Sequence, residues 1–163
     1  MQRVQAWLAP FTWEMVPAQN AVLCAAPSYL KAHGRPLKAE DLRGHFVLRL
    51  RSAAGRAPPI QLIDPTGAEP DYVVQAEASL VADHTDTLLR ATLEGAGISS
   101  QAEDIAAPYL SAGQLERVLA PWITNRLSMV AAYPSRKFLP ARARVFLDFI
   151  IEHVGAKMAR LRA

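Results

Sequence analysis

The chain has 163 residues, of which 51% are hydrophobic and 20% are charged, with one cysteine and a formal net charge of +3. This length fits one domain or two small lobes, and this much apolar sequence excludes wholesale disorder. One cysteine excludes an intramolecular disulfide framework, and no Cys/His cluster has the spacing of a metal site. No window approaches the ~18 apolar residues of a membrane span. We therefore expect a cytoplasmic protein with no metal or other cofactor and no membrane attachment.

The sequence pI of 9.3 suggests nucleic acid binding, but the charges are segregated along the chain. Residues 35–56 carry a local charge of +4 and residues 135–163 carry +5, whereas residues 57–116 carry −9 when Lys/Arg and Asp/Glu are counted. This pattern is typical of a dipolar globular surface, because a phosphate-binding face needs continuous basic residues. Direct nucleic acid contact is the less favoured alternative.

The first half of the chain alternates predicted strands and helices. The apolar run Ala21–Ala26 predicts a buried strand, and Ser28 is the expected N-cap of a short helix that reaches His33. One helical turn is predicted at Lys38–Leu42. Further strands are predicted at His45–Leu50, Ile60–Ile63, Tyr72–Gln75 and Ala78–Ala82, with a turn at Asp64–Gly67. Residues 1–20 form a leader of uncertain structure.

The second half contains the best-specified helix, Thr85–Glu94, with Asp83 or Thr85 available as its N-cap. The remaining predicted elements are a strand at Ile98–Ser100, a helix at Ile105–Leu110, strands at Leu115–Leu119 and Leu127–Tyr133, and a final helix from Pro140 that stops at Gly155. This alternation predicts an α/β fold with a parallel or mixed sheet.

No catalytic group of residues emerges from the pattern, and we expect the chain not to be an enzyme. Cys24 lies within an apolar strand, where a thiol is usually inert packing. The four histidines stand far apart in the sequence. Gly95-Ala96-Gly97 follows a helix, whereas a dinucleotide-binding loop precedes one.

The segment Asp83–Thr87 is the best candidate for binding. It joins a predicted strand to a predicted helix, where free backbone N–H groups and two hydroxyls can receive a carboxylate. Two other readings stay open: Thr85 caps the helix and Asp86 complements its dipole, and both Asp83 and Asp86 repel an anion.

Five ordered segments together resemble the effector-binding domain of LysR-type transcriptional regulators, closest to the CrgA-like branch. They are Leu23–Leu30 with His33-Gly34 and Pro36, Glu40-Asp41-Leu42 with His45, Thr87–Ile98, Leu110–Leu119, and Tyr133–Pro140 with Arg144–Phe149. The match is more specific than any single segment because the order is kept over residues 21–152. Ser99-Ser100-Gln101 departs from the family, which has an apolar residue and proline there.

The resemblance implies a type 2 periplasmic-binding-protein-like fold, with two α/β lobes joined by two crossing segments. It implies that residues 21–126 form the second lobe and that residues 127–155 supply the hinge and the closing strand and helix of the first lobe, followed by a basic tail at 156–163. The implied hinge residues are Val22, Leu23, Ser128 and Met129. The winged helix-turn-helix and about 70 residues that start the first lobe have no counterpart here.

The resemblance implies an effector-sensing module that binds a small molecule, such as a carboxylate or aromatic acid, in a cleft. The expected effector-binding residues are His84, Thr85, Asp86, Ser99 and Ser100. It also implies a homodimer or higher oligomer, paired through the helix at Thr85–Glu94 and the strand before it, and DNA contact only through the helix-turn-helix. The alternative is a stand-alone solute-binding protein of the same fold.

Overall fold

The computed structural model describes the backbone of residues 12–52, 55–133 and 140–160, and the side chains within residues 19–52, 55–127 and 140–153. The chain divides into two compact units, with boundaries between Gln19 and Asn20 and between Arg126 and Leu127. One unit is Asn20–Arg126, and the other combines the chain on either side of it. Two strands, one at each boundary, belong to both units.

A mixed sheet organises the larger unit. Its described strands are β1 (Thr12–Ala25), β2 (Val47–Leu50), β5 (Ala78–Ala82), β6 (Ile98–Ala102), β7 (Glu116–Arg117) and β8 (Asn125–Tyr133). The strand order is β5-β2-β6-β1-β7, and β8 also pairs with β1. β2 runs parallel to β5 and β6, and β1 runs antiparallel to β6 and β7. Strands β3 (Ile60–Leu62) and β4 (Tyr72–Val74) form a separate antiparallel pair. The predicted α/β class with a mixed sheet is confirmed.

Four α-helices and one 3₁₀ helix are present in the described residues. They are α1 (Pro27–His33), the 3₁₀ helix (Ala39–Gly44), α2 (Thr85–Leu93), α3 (Glu103–Ser111) and α4 (Ala141–Arg160). Among these residues, no helix combines the length and the apolar character that crossing a membrane would need.

The sheet separates two apolar clusters, because successive side chains of β1 point to opposite faces. Leu23 and Ala25 join one cluster, with Tyr29 and Leu42. Val22 and Cys24 join the other, with Leu89 of α2. The apolar run that predicted a buried strand is therefore buried on both faces, and every residue from Ala21 to Ala26 is at most 5% exposed.

Helix caps account for several differences from prediction. α1 begins at Pro27 and its N-cap is Ala26, which makes no side-chain hydrogen bond, so Ser28 lies inside the helix and is not the N-cap. Proline suits this position because it has no N–H to leave unpaired. His84 is the N-cap of α2, so neither Asp83 nor Thr85 fills that position.

Other helices and strands also begin or end at residues that differ from the prediction. α3 begins at Glu103, two residues before the predicted start, with Glu103 and Asp104 in its first turn, where acids stabilise a helix. β7 has only two residues, and Leu119 is excluded from it by a left-handed φ of 55°. α4 continues through Gly155 to Arg160, since one glycine costs a helix only about 1 kcal/mol. Strand β1 begins at Thr12, within the leader.

The predicted turn at Asp64–Gly67 is confirmed, and its carboxylate is the centre of a hydrogen-bond network. The N–H of Gly67 donates to the carbonyl of Asp64 at 3.2 Å. The Asp64 carboxylate accepts from the Thr66 hydroxyl and from the backbone N–H groups of Thr66, Ala68 and Glu69. These donors stabilise the charged form and lower the pKa of Asp64 from 3.8 to about 2.

The Asp64 network predicts an acid-dependent loss of stability. The folded pKa lies below the unfolded one, so the contribution is complete above pH 3.8 and is lost as the pH falls towards about 2. We expect Asp64→Asn to be less stable than the wild type at pH 7, with the difference shrinking over that window. Urea unfolding at several pH values measures it. A difference that is constant from pH 7 to pH 2 would contradict the assignment.

Candidate functional site

The parallel strands bring several predicted binding residues to one edge of the sheet. β5, β2 and β6 all end there, because parallel strands share their direction. α2 begins three residues after β5, and α3 begins directly after β6. The register aligns Leu50 of β2 with Ala82 of β5, and the N–H of Arg51 donates to the carbonyl of Ala82 at 2.7 Å. Two helix N-termini and three strand ends therefore lie at this edge.

The N-terminus of α2 is exposed to solvent and has no side-chain cap. His84, Thr85 and Asp86 are all exposed, and the first turn of the helix makes no side-chain capping bond. The reading in which Thr85 only caps the helix is therefore wrong. Asp86 does lie in the first turn, and its carboxylate accepts a hydrogen bond from Arg90 Nε at 2.9 Å. Because Arg90 offsets its charge, Asp86 repels an anion less than the sequence suggested.

Ser99 and Ser100 point to opposite faces of β6. Ser99 is fully buried, and its hydroxyl bonds to the Thr92 hydroxyl of α2 at 2.7 Å and accepts from Gln101 Nε2 at 2.8 Å. Ser100 is exposed on the other face. The two hydroxyls therefore cannot line one pocket together: Ser100 is available to a ligand, and Ser99 ties β6 to α2.

Ser100 forms a hydroxyl pair with a residue that the sequence did not single out. Its Oγ lies at hydrogen-bond distance from the Thr124 hydroxyl, and the Thr124 N–H donates to the carbonyl of Ala21 at 2.7 Å. Thr124 directly precedes β8, and Ala21 lies just inside the unit boundary on β1. The pair thus joins β6 to the residue that precedes β8, beside β1. No local sequence pattern predicts this contact, because the two residues are 24 positions apart.

The predicted hinge residues lie on these two crossing strands. Val22 and Leu23 are buried in β1, opposite Gln101 and Ser100 of β6. Ser128 and Met129 belong to β8, and their side chains lie outside the described residues. The hinge role of these four residues stays a prediction.

Two arginines lie at the end of β2, and the exposed Arg51, which directly follows the strand, adds positive charge to the same edge. Arg49 donates from Nη1 to the carbonyl of Ala76 at 2.9 Å and from Nη2 to that of Ala57 at 2.8 Å. Burial lowers the pKa of the Arg49 guanidinium. Arg51 is exposed, and neither arginine forms an ion pair with the described part of the chain. The rule that parallel strands share an edge could have identified both.

The reactive side chains elsewhere in the larger unit are packed or paired. Cys24 is fully buried, and burial raises the pKa of its thiol to about 12, as its apolar strand predicted. Two of the four histidines, far apart in sequence, meet around Tyr29. His33 stacks on the Tyr29 ring at a centroid distance of 4.6 Å, and His45 Nδ1 lies 3.1 Å from the Tyr29 hydroxyl. Burial, and then the proximity of His33, lower the pKa of His45. No group of three potential metal ligands occurs within the described residues.

The mixed sheet, the two crossing strands and the helix N-termini at the sheet edge are typical of an α/β domain that binds a small molecule. Residues 11–155 match the LysR substrate binding domain family. The chain belongs to this family, and the predicted resemblance and periplasmic-binding-protein-like fold are confirmed.

Relatives of similar sequence are bacterial transcriptional regulators. The chain is 28% identical over 134 residues to the uncharacterized HTH-type regulator YcaN of Escherichia coli, covering 82% of this chain and 42% of that protein. It is 30% identical over 132 residues to the HTH-type regulator CrgA of Neisseria meningitidis, covering 80% and 42%. The chain thus spans less than half the length of these relatives. They favour a regulator over the alternative of a stand-alone solute-binding protein.

Solved structures with the same fold are regulatory domains. The CrgA regulatory domain of Neisseria meningitidis has a TM-score of 0.74 at 26% identity, covering 90% of this chain and 70% of that one. The regulatory domain of AphB from Vibrio vulnificus has a TM-score of 0.72 at 26% identity, covering 89% and 70%. The family is one of transcriptional regulators and not of enzymes.

Proposed function

We propose that this chain is the effector-sensing module of a bacterial LysR-type transcriptional regulator and has no catalytic activity of its own. In the proposed mechanism, a small molecule binds one arrangement of the two units better than another and shifts their populations. The shift changes how dimer partners, and the helix-turn-helix domains of the whole regulator, are arranged on DNA. Residues 21–126 correspond in this proposal to the second lobe and residues 127–155 to the hinge and part of the first. A regulator of this kind acts in the cytoplasm.

The observation that carries the proposal is the exposed Ser100–Thr124 hydroxyl pair at the strand edge. Two hydroxyls can donate to a carboxylate, and the exposed start of α2 at His84, Thr85 and Asp86 offers unpaired N–H groups. Arg51 adds a charge that favours an acid. We therefore propose a small carboxylate or aromatic acid as the effector, with Ser99 supporting β6 from the opposite face.

Alanine variants of the two serines separate binding from stability. We expect Ser100→Ala and Thr85→Ala each to weaken the binding of a carboxylate by about tenfold, as the loss of one charge-assisted hydrogen bond would. Ser99→Ala should leave affinity unchanged but cost about 1 to 3 kcal/mol of stability, because the buried Gln101 Nε2 loses its acceptor and Thr92 loses one hydrogen bond.

Calorimetric titration with benzoate, and with uncharged benzamide as the matched ligand, measures the first effect, and urea unfolding measures the second. Equal benzoate affinity in the wild type, Ser100→Ala and Thr85→Ala would place the site elsewhere. Equal affinity for benzoate and benzamide would refute the preference for an acid.

The proposal includes a homodimer or higher oligomer paired through α2 and β5. β5 is an edge strand of the sheet, so its outer backbone groups can pair with another chain. Its central Leu80 is 39% exposed. DNA contact belongs to the helix-turn-helix of the whole regulator, and we propose that residues of this chain do not bind DNA themselves.

A further inference from the structure

A chain of hydrogen bonds joins α1 to the backbone just before β2. The N–H of Phe46, which directly precedes the strand, donates to the Tyr29 hydroxyl oxygen at 2.9 Å. His45 Nδ1 lies 3.1 Å from the same hydroxyl. Tyr29 is 2% exposed, whereas His45 is only partly buried, so its imidazole can exchange protons with solvent. The chain therefore connects a proton-accessible side chain to the start of a core strand.

The direction of these bonds follows from the atoms that carry protons. Burial raises the pKa of Tyr29, so its hydroxyl keeps its proton at neutral pH. The Tyr29 oxygen already accepts from the Phe46 N–H, and its own proton is therefore donated to His45. Nδ1 must then be the unprotonated nitrogen, and the imidazole carries its proton on Nε2. A neutral His45 is the form that completes the chain.

The groups around His45 keep it neutral at neutral pH. Burial and then the charge of His33 on α1 lower the pKa of His45, while Asp41 in the 3₁₀ helix opposes them. The Asp41 carboxylate also accepts from two backbone N–H groups at its own helix start, which stabilise its charge there. Within the described residues, His33, Asp41 and Tyr29 are the titratable groups that act on His45. His45 therefore takes up a proton only as the pH falls below 6.5.

We propose that protonation of His45 is a pH-sensitive switch that releases the start of β2 from α1. A proton that adds to Nδ1 turns this nitrogen from an acceptor into a donor. The Tyr29 proton then loses its acceptor, and no other acceptor contacts this hydroxyl among the described residues. Two N–H groups now compete for the Tyr29 oxygen. The charged Nδ1–H is the stronger donor, so the bond from the Phe46 N–H weakens.

The switch reaches the sheet through the carbonyl of Phe46. This oxygen accepts from the Ile98 N–H at 2.8 Å and lies close to Gly97. A displaced Phe46 therefore disturbs the start of β6 as well as that of β2. Both strands end at the edge that carries the proposed effector site, so acid acts on them from the opposite end. The switch itself requires no ligand, and it stands whether or not the effector site is correct.

Hydrogen exchange followed by NMR tests the switch in the full chain from about pH 8 to about pH 4.5. As the His45 ring signals titrate in the wild type, protection of the Phe46 N–H, corrected for the intrinsic exchange rate, should fall by about fivefold to tenfold. The Tyr29 Cζ signal should shift with the same midpoint. His45→Gln keeps an acceptor that does not titrate, and should retain the protection in acid. Tyr29→Phe should give low protection at every pH while His45 still titrates.

Two further histidine variants are matched controls. His33→Gln should raise the midpoint, because it removes the charge that disfavours His45 protonation. His153→Gln, on α4, should leave the midpoint and the protection unchanged. Circular dichroism checks that each variant is folded.

The free energy of unfolding provides a second readout. Because the folded pKa of His45 lies below the unfolded one, the wild type should lose stability as the pH falls below 6.5, and His45→Gln should lose less. Three results would overturn the proposal: Phe46 protection that stays constant while His45 titrates, the same loss of protection in His45→Gln, or a His45 that stays neutral across the whole range.

Discussion

Gly97→Ala is expected to lower the free energy of unfolding by about 3 kcal/mol or more, through a backbone clash combined with a strained conformation. A Cβ at this position would lie 2.3 Å from the carbonyl oxygen of Phe46, at a φ of +156° that side chains rarely adopt. The same oxygen accepts a hydrogen bond from the Ile98 N–H at 2.8 Å. Relief of the clash would therefore disturb the pairing of β2 with β6 at its start.

Urea unfolding measures the effect, and two other glycines provide a graded control. Gly44→Ala should be near neutral, because no atom lies within 4 Å of the added Cβ and its φ is ordinary. Gly113→Ala, at a φ of +68° in open space, should cost about 1 to 2 kcal/mol through strain alone. If Gly97→Ala were no less stable than Gly113→Ala, the close approach of the Phe46 carbonyl would make no contribution to the loss of stability.

Truncation of Tyr29 should have a similarly large effect. Tyr29 is 2% exposed, and its hydroxyl accepts from the Phe46 N–H at 2.9 Å while its ring packs against His33, His45 and Phe46. We expect Tyr29→Ala to cost about 3 to 5 kcal/mol, as for other large buried rings. Tyr29→Phe keeps the ring but leaves the Phe46 N–H without its acceptor, and should cost about 1 to 3 kcal/mol.

The stabilities of Tyr29→Phe and Tyr29→Ala, measured by thermal and urea unfolding, separate the contribution of the hydrogen bond from that of ring packing. Tyr72→Phe is the matched control, because the Tyr72 hydroxyl donates to Glu40 at the surface and its loss should matter much less. Equal destabilisation by Tyr29→Phe and Tyr29→Ala would mean that the hydroxyl alone accounts for the effect. No loss in Tyr29→Phe would mean that water replaces the acceptor.

The elements that the sequence predicted best are those whose apolar pattern decides their burial. β5 was predicted at its observed bounds, and α2 was predicted to within one residue, because Leu88 and Leu89 form its buried side. The N-caps of the helices are harder to predict. Ser28 is a good capping residue in general, but Pro27 already fixes the start of α1.

The candidate site could be predicted only where it is local. The junction at His84, Thr85 and Asp86 follows from strand, cap and helix signals in one stretch. Simple alternation along β6 would have separated Ser99 from Ser100, since neighbouring residues on a strand face opposite ways. Thr124, in contrast, comes beside Ser100 only through the path of the chain between them, which no short motif encodes.

Because the single cysteine is buried, the folded protein should not react with thiol-labelling reagents. Only the thiolate reacts with maleimides, and a pKa of about 12 leaves roughly one Cys24 thiol in 10⁵ ionised at neutral pH. The side chain is also 0% exposed, within the strand that both apolar clusters share. A fluorophore placed on an introduced surface cysteine would therefore mark that site alone, while the natural thiol becomes reactive only when β1 leaves the core.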